Sequence, residues 1–226
     1  MLSDKIALHS RSFCATLSWM AVAFIVALVF TASAEDAAEP TPVAGVAGPE
    51  LVEALQGGGH VIYFRHAQTE KDYADQVTAD PNAGSTQRVL SEAGWHQAKG
   101  IGQAFRTLQI PVGQVTSSQY FRAWQTADLA FGRYEKDAAL NFEPAEDYTP
   151  EQFAAMRDRV MPLVTEVPPD NFNTVLVGHD DPFEAVTGIY PEPQGVAYVL
   201  KPDGEGGFSI LARVEAEEWA SFVSDP

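Results

Sequence analysis

The sequence predicts an α/β domain, a three-layer α/β/α sandwich around a mainly parallel central sheet. Three observations carry this. Short apolar runs at residues 61–64 and 174–177 have the length and composition of buried strands, and 112–117 reads as another short strand. Longer amphipathic stretches separate them, and strands alternating with helices build a parallel sheet covered on both faces. Two of the runs end on a histidine, VIYFRH at 61–66 and TVLVGH at 174–179.

The elements follow in order. Residues 49–56 form a short helix that GGGH at 57–60 breaks. After the first strand, residues 67–88 are polar and without period, and read as a long loop. Ser91 caps a helix reaching Leu108, with Ala98, Ile101, Ala104, Phe105 and Leu108 on its apolar face. A helix over 120–131 ends at Gly132, and an acidic loop covers 133–148. Thr149, Pro150 and Gln152 spell a capping box with proline in the first turn, opening a helix to about Glu166. A short helix starts at Pro182, residues 197–200 and 208–212 form a hairpin, and 215–223 form a last helix.

The N-terminus stands apart. Lys5 and Arg11 precede an unbroken apolar run over 19–30, and Ala32-Ser33-Ala34 fits a small-x-small cleavage site. Residues 1–34 are expected to be a signal peptide, 35–48 a disordered linker and 49–226 the folded domain. Cleavage makes the product periplasmic or secreted. The alternative is an uncleaved membrane anchor formed by residues 13–32. The one cysteine, Cys14, lies in the leader, so thiol chemistry and disulfides are excluded from the mature chain.

Composition sets further limits. With 46% hydrophobic and 11% aromatic residues the chain is too apolar to be disordered. It holds 14 basic and 31 acidic residues, a net charge of −17, which argues against a nucleic-acid binder. Residues 1–34 contribute a net +1, so the mature chain carries −18. A net charge this negative also counts, at first sight, against an anionic substrate. Surface carboxylates are screened within about 8 Å at physiological salt, however, whereas a buried cationic cluster is not.

Ligands of open α/β sheets bind beyond the C-terminal ends of the strands. Parallel pairing brings His66 and His179 to one such edge, with Arg65 beside the first. Arg122 opens the helix after VTSS at 115–118. Two guanidiniums and an imidazole make an oxyanion cradle, and the second imidazole can attack phosphorus. Each residue alone has an ordinary structural explanation, and it is their convergence that suggests chemistry. His60 and His96 read as structural.

FRHAQT at 64–69 resembles the signature of the histidine phosphatase superfamily, the phosphoglycerate-mutase-like proteins. LSEAGWHQA at 90–98, SSQYFRAWQTA at 117–127 and VGH at 177–179 follow in the family's order. The resemblance implies that His66 becomes a phosphohistidine while Arg65, Arg122 and His179 hold the phosphoryl oxygens, without a metal or other cofactor. Gln68, Thr69 and Ser118 are expected near the substrate. For the proton donor the signals diverge. HD at 179–180 points to Asp180, as in the acid-phosphatase branch. RHAQT points to a loop acid, here Glu143, Glu146 or Asp147, and Glu184 is a third option. Exported relatives often carry a cysteine near Gly84 and another near Phe121, and both are absent here. The expected partner is a small phosphorylated substrate. The alternative is a binder of a phosphorylated envelope ligand with little or no catalysis.

Overall fold

The computed structural model describes residues 40–70, 75, 79–143, 145 and 147–224, so the expected leader lies outside the described residues. Helix α1 (Gly48–Gly57) leads into strand β1 (Val61–Arg65). Helix α2 (Glu92–Thr107), strand β2 (Val112–Ser117) and helix α3 (Phe121–Phe131) follow. Then come β3 (Glu135–Lys136), α4 (Pro150–Thr165), β4 (Asn173–Gly178) and α5 (Asp180–Thr187). The hairpin β5 (Ala197–Pro202) and β6 (Phe208–Val214) and helix α6 (Glu218–Ser224) complete the chain.

The six strands form one sheet in the order β3-β2-β4-β1-β5-β6. The first four are mutually parallel, and β5 and β6 add an antiparallel edge. Period-2 alternation sorts each central strand between two cores. From β1, Ile62 and Phe64 join Leu55, Phe105 and Trp219 on the face covered by α1, α2, α3 and α6. Val61 and Tyr63 join Val160, Leu176 and Phe183 on the face covered by α4 and α5. Both faces of the sheet are therefore covered, and the strands read as continuous apolar runs for that reason.

The predicted caps are present. Ser91 accepts from Gly94 N at the start of α2. Thr149 and Gln152 form the reciprocal capping box of α4. Gly132 closes α3 in the left-handed conformation at φ 68°. Four differences from the sequence reading emerge. The 133–148 stretch contains β3, a two-residue exposed edge strand too short to leave a periodic signal. Helix α5 begins at Asp180 rather than Pro182, because a proline in the first helical turn forfeits no intrahelical bond. Helix α6 starts at Glu218, three residues late. Residues 41–46 are not a free linker: Val43 bridges to Ile210, and Ala44 and Val46 donate to the Ile210 and Leu211 carbonyls. As an edge strand, β6 offers unpaired backbone groups, and this segment satisfies them.

Candidate active site

Strands β1 and β4 run in register, Arg65 opposite Gly178, so the residues that follow them, His66 and His179, meet at the sheet edge. Their ring centroids are 5.4 Å apart, and both side chains are fully buried. Two glycines of the motif segments have steric causes. A Cβ on Gly178 would lie 2.2 Å from the Tyr63 hydroxyl. That hydroxyl donates to the His179 carbonyl at 2.9 Å and accepts from the His179 amide at 3.1 Å. Tyr63 therefore fixes the backbone that presents His179. A Cβ on Gly94 would lie 2.0 Å from the Gln68 carbonyl oxygen, so only glycine lets α2 approach the loop after β1 this closely.

His66 donates from Nδ1 to the Ala67 carbonyl at 2.9 Å. That bond selects the tautomer with a free lone pair on Nε2. Nε2 accepts from Arg122 Nε at 3.1 Å. Burial, then the Arg122 charge, then Arg65 and Arg88 hold the His66 pKa well below the ordinary histidine value. The ring is neutral and its lone pair available at neutral pH.

Arg122, second residue of α3, is nearly fully buried, with its guanidinium carbon 5.0 Å from the centre of the Phe142 ring. Its Nη1 donates to Asp75 Oδ1 at 2.9 Å. Arg65 donates from Nη1 to the Pro191 carbonyl at 2.8 Å and from Nη2 to Asp180 Oδ2 at 2.5 Å. Tyr190 donates its hydroxyl to the same Asp180 oxygen at 2.7 Å. Among the described residues, no group of three or more His, Cys, Asp or Glu is placed to hold a metal ion.

His179 Nε2 lies 2.8 Å from Ser118 Oγ. The Ser118 hydroxyl donates to Asn141 Oδ1 at 2.8 Å, so Nε2 is the donor to Ser118 and carries the proton. His179 Nδ1 is buried without a hydrogen-bond partner. Burial, then Arg122, His66 and Arg65 push its pKa well below the ordinary value. Tyr120 and Phe142 wall this imidazole, with ring centroids 5.5 and 4.8 Å away, and keep the local dielectric low.

The remaining predicted residues divide. Ser118 reaches the site through His179. The Thr69 hydroxyl is bonded to the Gln194 side chain. Gln68 engages Gln97, and its carbonyl accepts from Ser91. Glu143 is paired with Arg159 at 2.7 Å. Glu146 lies outside the described residues, and Asp147 is exposed. Glu184 lies on α5, its pKa raised by burial and by Asp180. Arg65 joins Asp180 to the His66 cluster, but the described contacts join neither Glu143 nor Glu184 to it.

Sequence reasoning missed four residues. Asp75 and Arg88 sit in the aperiodic loop. Tyr190 precedes a proline-rich bend, and Asp181 is hidden behind its neighbour Asp180. None of the four left a signal in strand or helix periodicity.

Asp181 accepts from the Tyr148 hydroxyl at 2.9 Å, and burial, then the Asp180 charge, push its pKa up to about 6. The folded state therefore favours the protonated acid. Unfolded aspartate ionises near 3.9, so stability falls as pH rises from about 4 to 6, and the loss is complete above that. Asp181→Asn keeps an acceptor for Tyr148 and removes the charge. We expect it to stabilise the domain by about 1.5 kcal/mol at pH 7.5, with partial solvent screening allowed for, and by nothing below pH 3.5. Urea denaturation at the two pH values checks this, and equal gains at both would contradict it.

Against known proteins, the model of the "Histidine phosphatase superfamily (branch 1)" matches residues 61–144. Among solved structures, a putative alpha-ribazole-5'-P phosphatase from Escherichia coli K-12 superposes with a TM-score of 0.54 at 13% identity, covering 70% of this chain and 98% of its own. The protein histidine phosphatase SixA complexed with tungstate gives 0.52 at 13% identity, covering 70% and 98%. A protein described as mycobacterial hydrolase 1 gives 0.51 at 16%, covering 70% and 99%. No curated protein matches by sequence. At these identities the structural likenesses speak for the fold, and the matched segment supplies Arg65, His66 and Arg122. The chain is thus similar to the histidine phosphatase superfamily over residues 61–144 and shares the fold of these solved structures.

Proposed function

We propose that the chain hydrolyses small phosphomonoesters through a phosphohistidine on His66 and requires no cofactor. The observation that carries this is the tautomer of His66. Its Nδ1–H is spent on the Ala67 carbonyl, and its buried Nε2 lone pair faces the Arg122 guanidinium. In the first step Nε2 bonds to phosphorus and the ester P–O bond breaks, while the leaving oxygen takes a proton from an acid. In the second, water attacks phosphorus, gives its proton to that carboxylate and releases inorganic phosphate and free His66. Arg65 and Arg122 neutralise the phosphoryl charge throughout. His179 joins them once the incoming dianion favours its protonated form, which gives the orphaned Nδ1 a hydrogen to donate.

Asp180 is the proposed proton donor, because its contact with Arg65 ties it to the phosphoryl cradle. When phosphate takes over Arg65, the carboxyl is freed to serve the leaving oxygen. Asp181 is the second reading, supported by a pKa near 6. Retained turnover in Asp181→Asn would leave the role to Asp180. The apolar run at 19–30 and the Ala-Ser-Ala that follows support export, with cleavage after Ala34.

The test of the mechanism is a rapid acid-free quench with a radiolabelled phosphoester. The expected product is one phosphoryl group per chain on His66, labile to acid and stable to alkali. An alkali-labile adduct, or none under rapid mixing, would set the mechanism aside.

A further inference from the structure

Behind His179 stands a short hydrogen-bonded relay whose far end is Asn141, the residue after a single 3-10 turn (Ala138–Leu140). Its Oδ1 accepts from Ser118 Oγ at 2.8 Å and from the Gln119 amide at 3.0 Å, and its Nδ2 donates to Gln119 Oε1 at 3.0 Å. A backbone N–H can only donate, so oxygen rather than nitrogen must face Gln119 N, and the orientation of the side-chain amide is settled. The Asn141 backbone is pinned as well. Its N–H donates to the Ala138 carbonyl at 3.0 Å, and its carbonyl accepts from Arg159 Nη2 at 3.2 Å. Arg159 is held in turn by Glu143 at 2.7 Å.

Ser118 is fully buried, and a hydroxyl has one hydrogen to give and room to accept two. The hydrogen goes to Asn141 Oδ1. One acceptor position takes the Tyr120 amide at 3.2 Å. The other faces His179 Nε2 at 2.8 Å, so the imidazole hydrogen sits on Nε2. In the opposite tautomer Nε2 would need the Ser118 hydrogen for itself. Ser118 Oγ and Asn141 Oδ1 would then face each other as two acceptors at 2.8 Å, and a buried acceptor stripped of its donor is costly. The choice of tautomer is thus made at Asn141, two bonds of the relay away from the ring. It leaves Nδ1 bare, and Nδ1 is buried without a partner. Phe142, the next residue, walls the same ring at 4.8 Å, so one short segment supplies both the wall and the amide.

We propose that Asn141 is a positioning residue: by turning the Ser118 hydroxyl away from the ring, it holds His179 in the Nε2–H tautomer and keeps Nδ1 free to gain the hydrogen that a bound phosphoryl group calls for. Its consequence for turnover rests on the phosphatase reading, whereas the tautomer is a property of the free protein. With the relay intact, the charged ring keeps its bond to Ser118 and puts the new hydrogen on Nδ1. Without Asn141, the Ser118 hydroxyl is free to donate to Nε2. The ring then turns to the Nδ1–H form, its second nitrogen is occupied, and it meets the phosphoryl oxygens as a neutral donor. A hydrogen bond from a neutral donor is about half as strong as one from a cation.

The experiment reads the ring nitrogens of the free, full-length protein by nitrogen-15 NMR at neutral pH, with the His179 signals assigned by their loss in His179→Gln. The wild type is expected to carry the hydrogen on Nε2 alone. Asn141→Ala, shown to be folded by a thermal melt, is expected to make the Nδ1–H form the major one and to lose about tenfold in kcat/KM on p-nitrophenyl phosphate, the exchange of a charged for a neutral hydrogen bond. Asn141→Asp keeps an acceptor for Ser118 and for Gln119 N, so it is expected to keep the hydrogen on Nε2 and most of the activity. The proposal is overturned by an Nδ1–H ring in the wild type, by an unchanged ring in Asn141→Ala, or by an Asn141→Asp protein that behaves like Asn141→Ala. If Asn141→Ala does not fold, Ser118→Ala takes its place: both tautomers are expected, and Nε2–H alone overturns the proposal. Absence of turnover in the wild type strikes the phosphatase reading instead, and the ring nitrogens still decide the role of Asn141.

Discussion

His66→Ala lowers the turnover of p-nitrophenyl phosphate by about 10⁴-fold or more, the expected loss when a covalent nucleophile is removed. The size follows from the geometry. The Nε2 lone pair is held in place by the Nδ1 bond to Ala67 and by Arg122, and no other described group is aligned in this way. His179 is held differently: its Nε2 is bonded to Ser118, and its Nδ1 has no hydrogen-bond partner to orient a lone pair. The imidazole is fully buried, so its removal leaves a polar hole, and a thermal melt must accompany the assay. A folded His66→Ala protein that keeps more than about 1% of wild-type turnover would show that water attacks phosphorus directly.

Arg122→Ala is expected to cost about 10³-fold in kcat/KM, the upper range for loss of one preorganised charged donor. An arginine about 4 Å from a phosphate charge contributes roughly 4 kcal/mol at an effective dielectric of 20. The pocket around Arg122, walled by Tyr120 and Phe142, excludes the water that would weaken this. The variant has a second signature. Arg122 is the largest charge contribution holding down the His66 pKa, so its removal lets that pKa rise toward the ordinary value. A proton NMR titration should find the His66 ring protonating at higher pH than in the wild type. An unchanged titration with reduced activity would mean that Arg122 holds substrate without tuning the nucleophile.

How much of this could be read from the sequence depended on where each residue lies. The central strands were legible because burial on both faces leaves apolar runs, and their parallel register followed from the helices between them. That register alone put His66 beside His179. Arg122 was legible through its place at the start of α3. Asp75 and Arg88 were not, because their positions depend on the path of a long aperiodic loop. Tyr63 was read as one more apolar strand residue. Its role lies in a hydroxyl that reaches across to β4, and nothing in strand periodicity distinguishes a hydroxyl that bonds from one that does not. The Arg65–Asp180 contact joins two sheet-edge positions 115 residues apart and likewise depends on three-dimensional placement. The net charge, which seemed at first to oppose phosphate chemistry, proved compatible with a small buried cationic centre.

Gly84 and Phe121, the positions beside which exported relatives often carry cysteines, touch in this fold. A Cβ on Gly84 would lie 3.1 Å from the Phe121 ring, and the Gln87 side chain accepts from the Phe121 amide at 2.8 Å. The end of the loop that delivers Arg88 is therefore fastened to α3 by a contact and a hydrogen bond. A disulfide would make that fastening permanent in an oxidising compartment and open in a reducing one. A noncovalent latch works as an equilibrium instead, and it has the same strength on either side of a membrane.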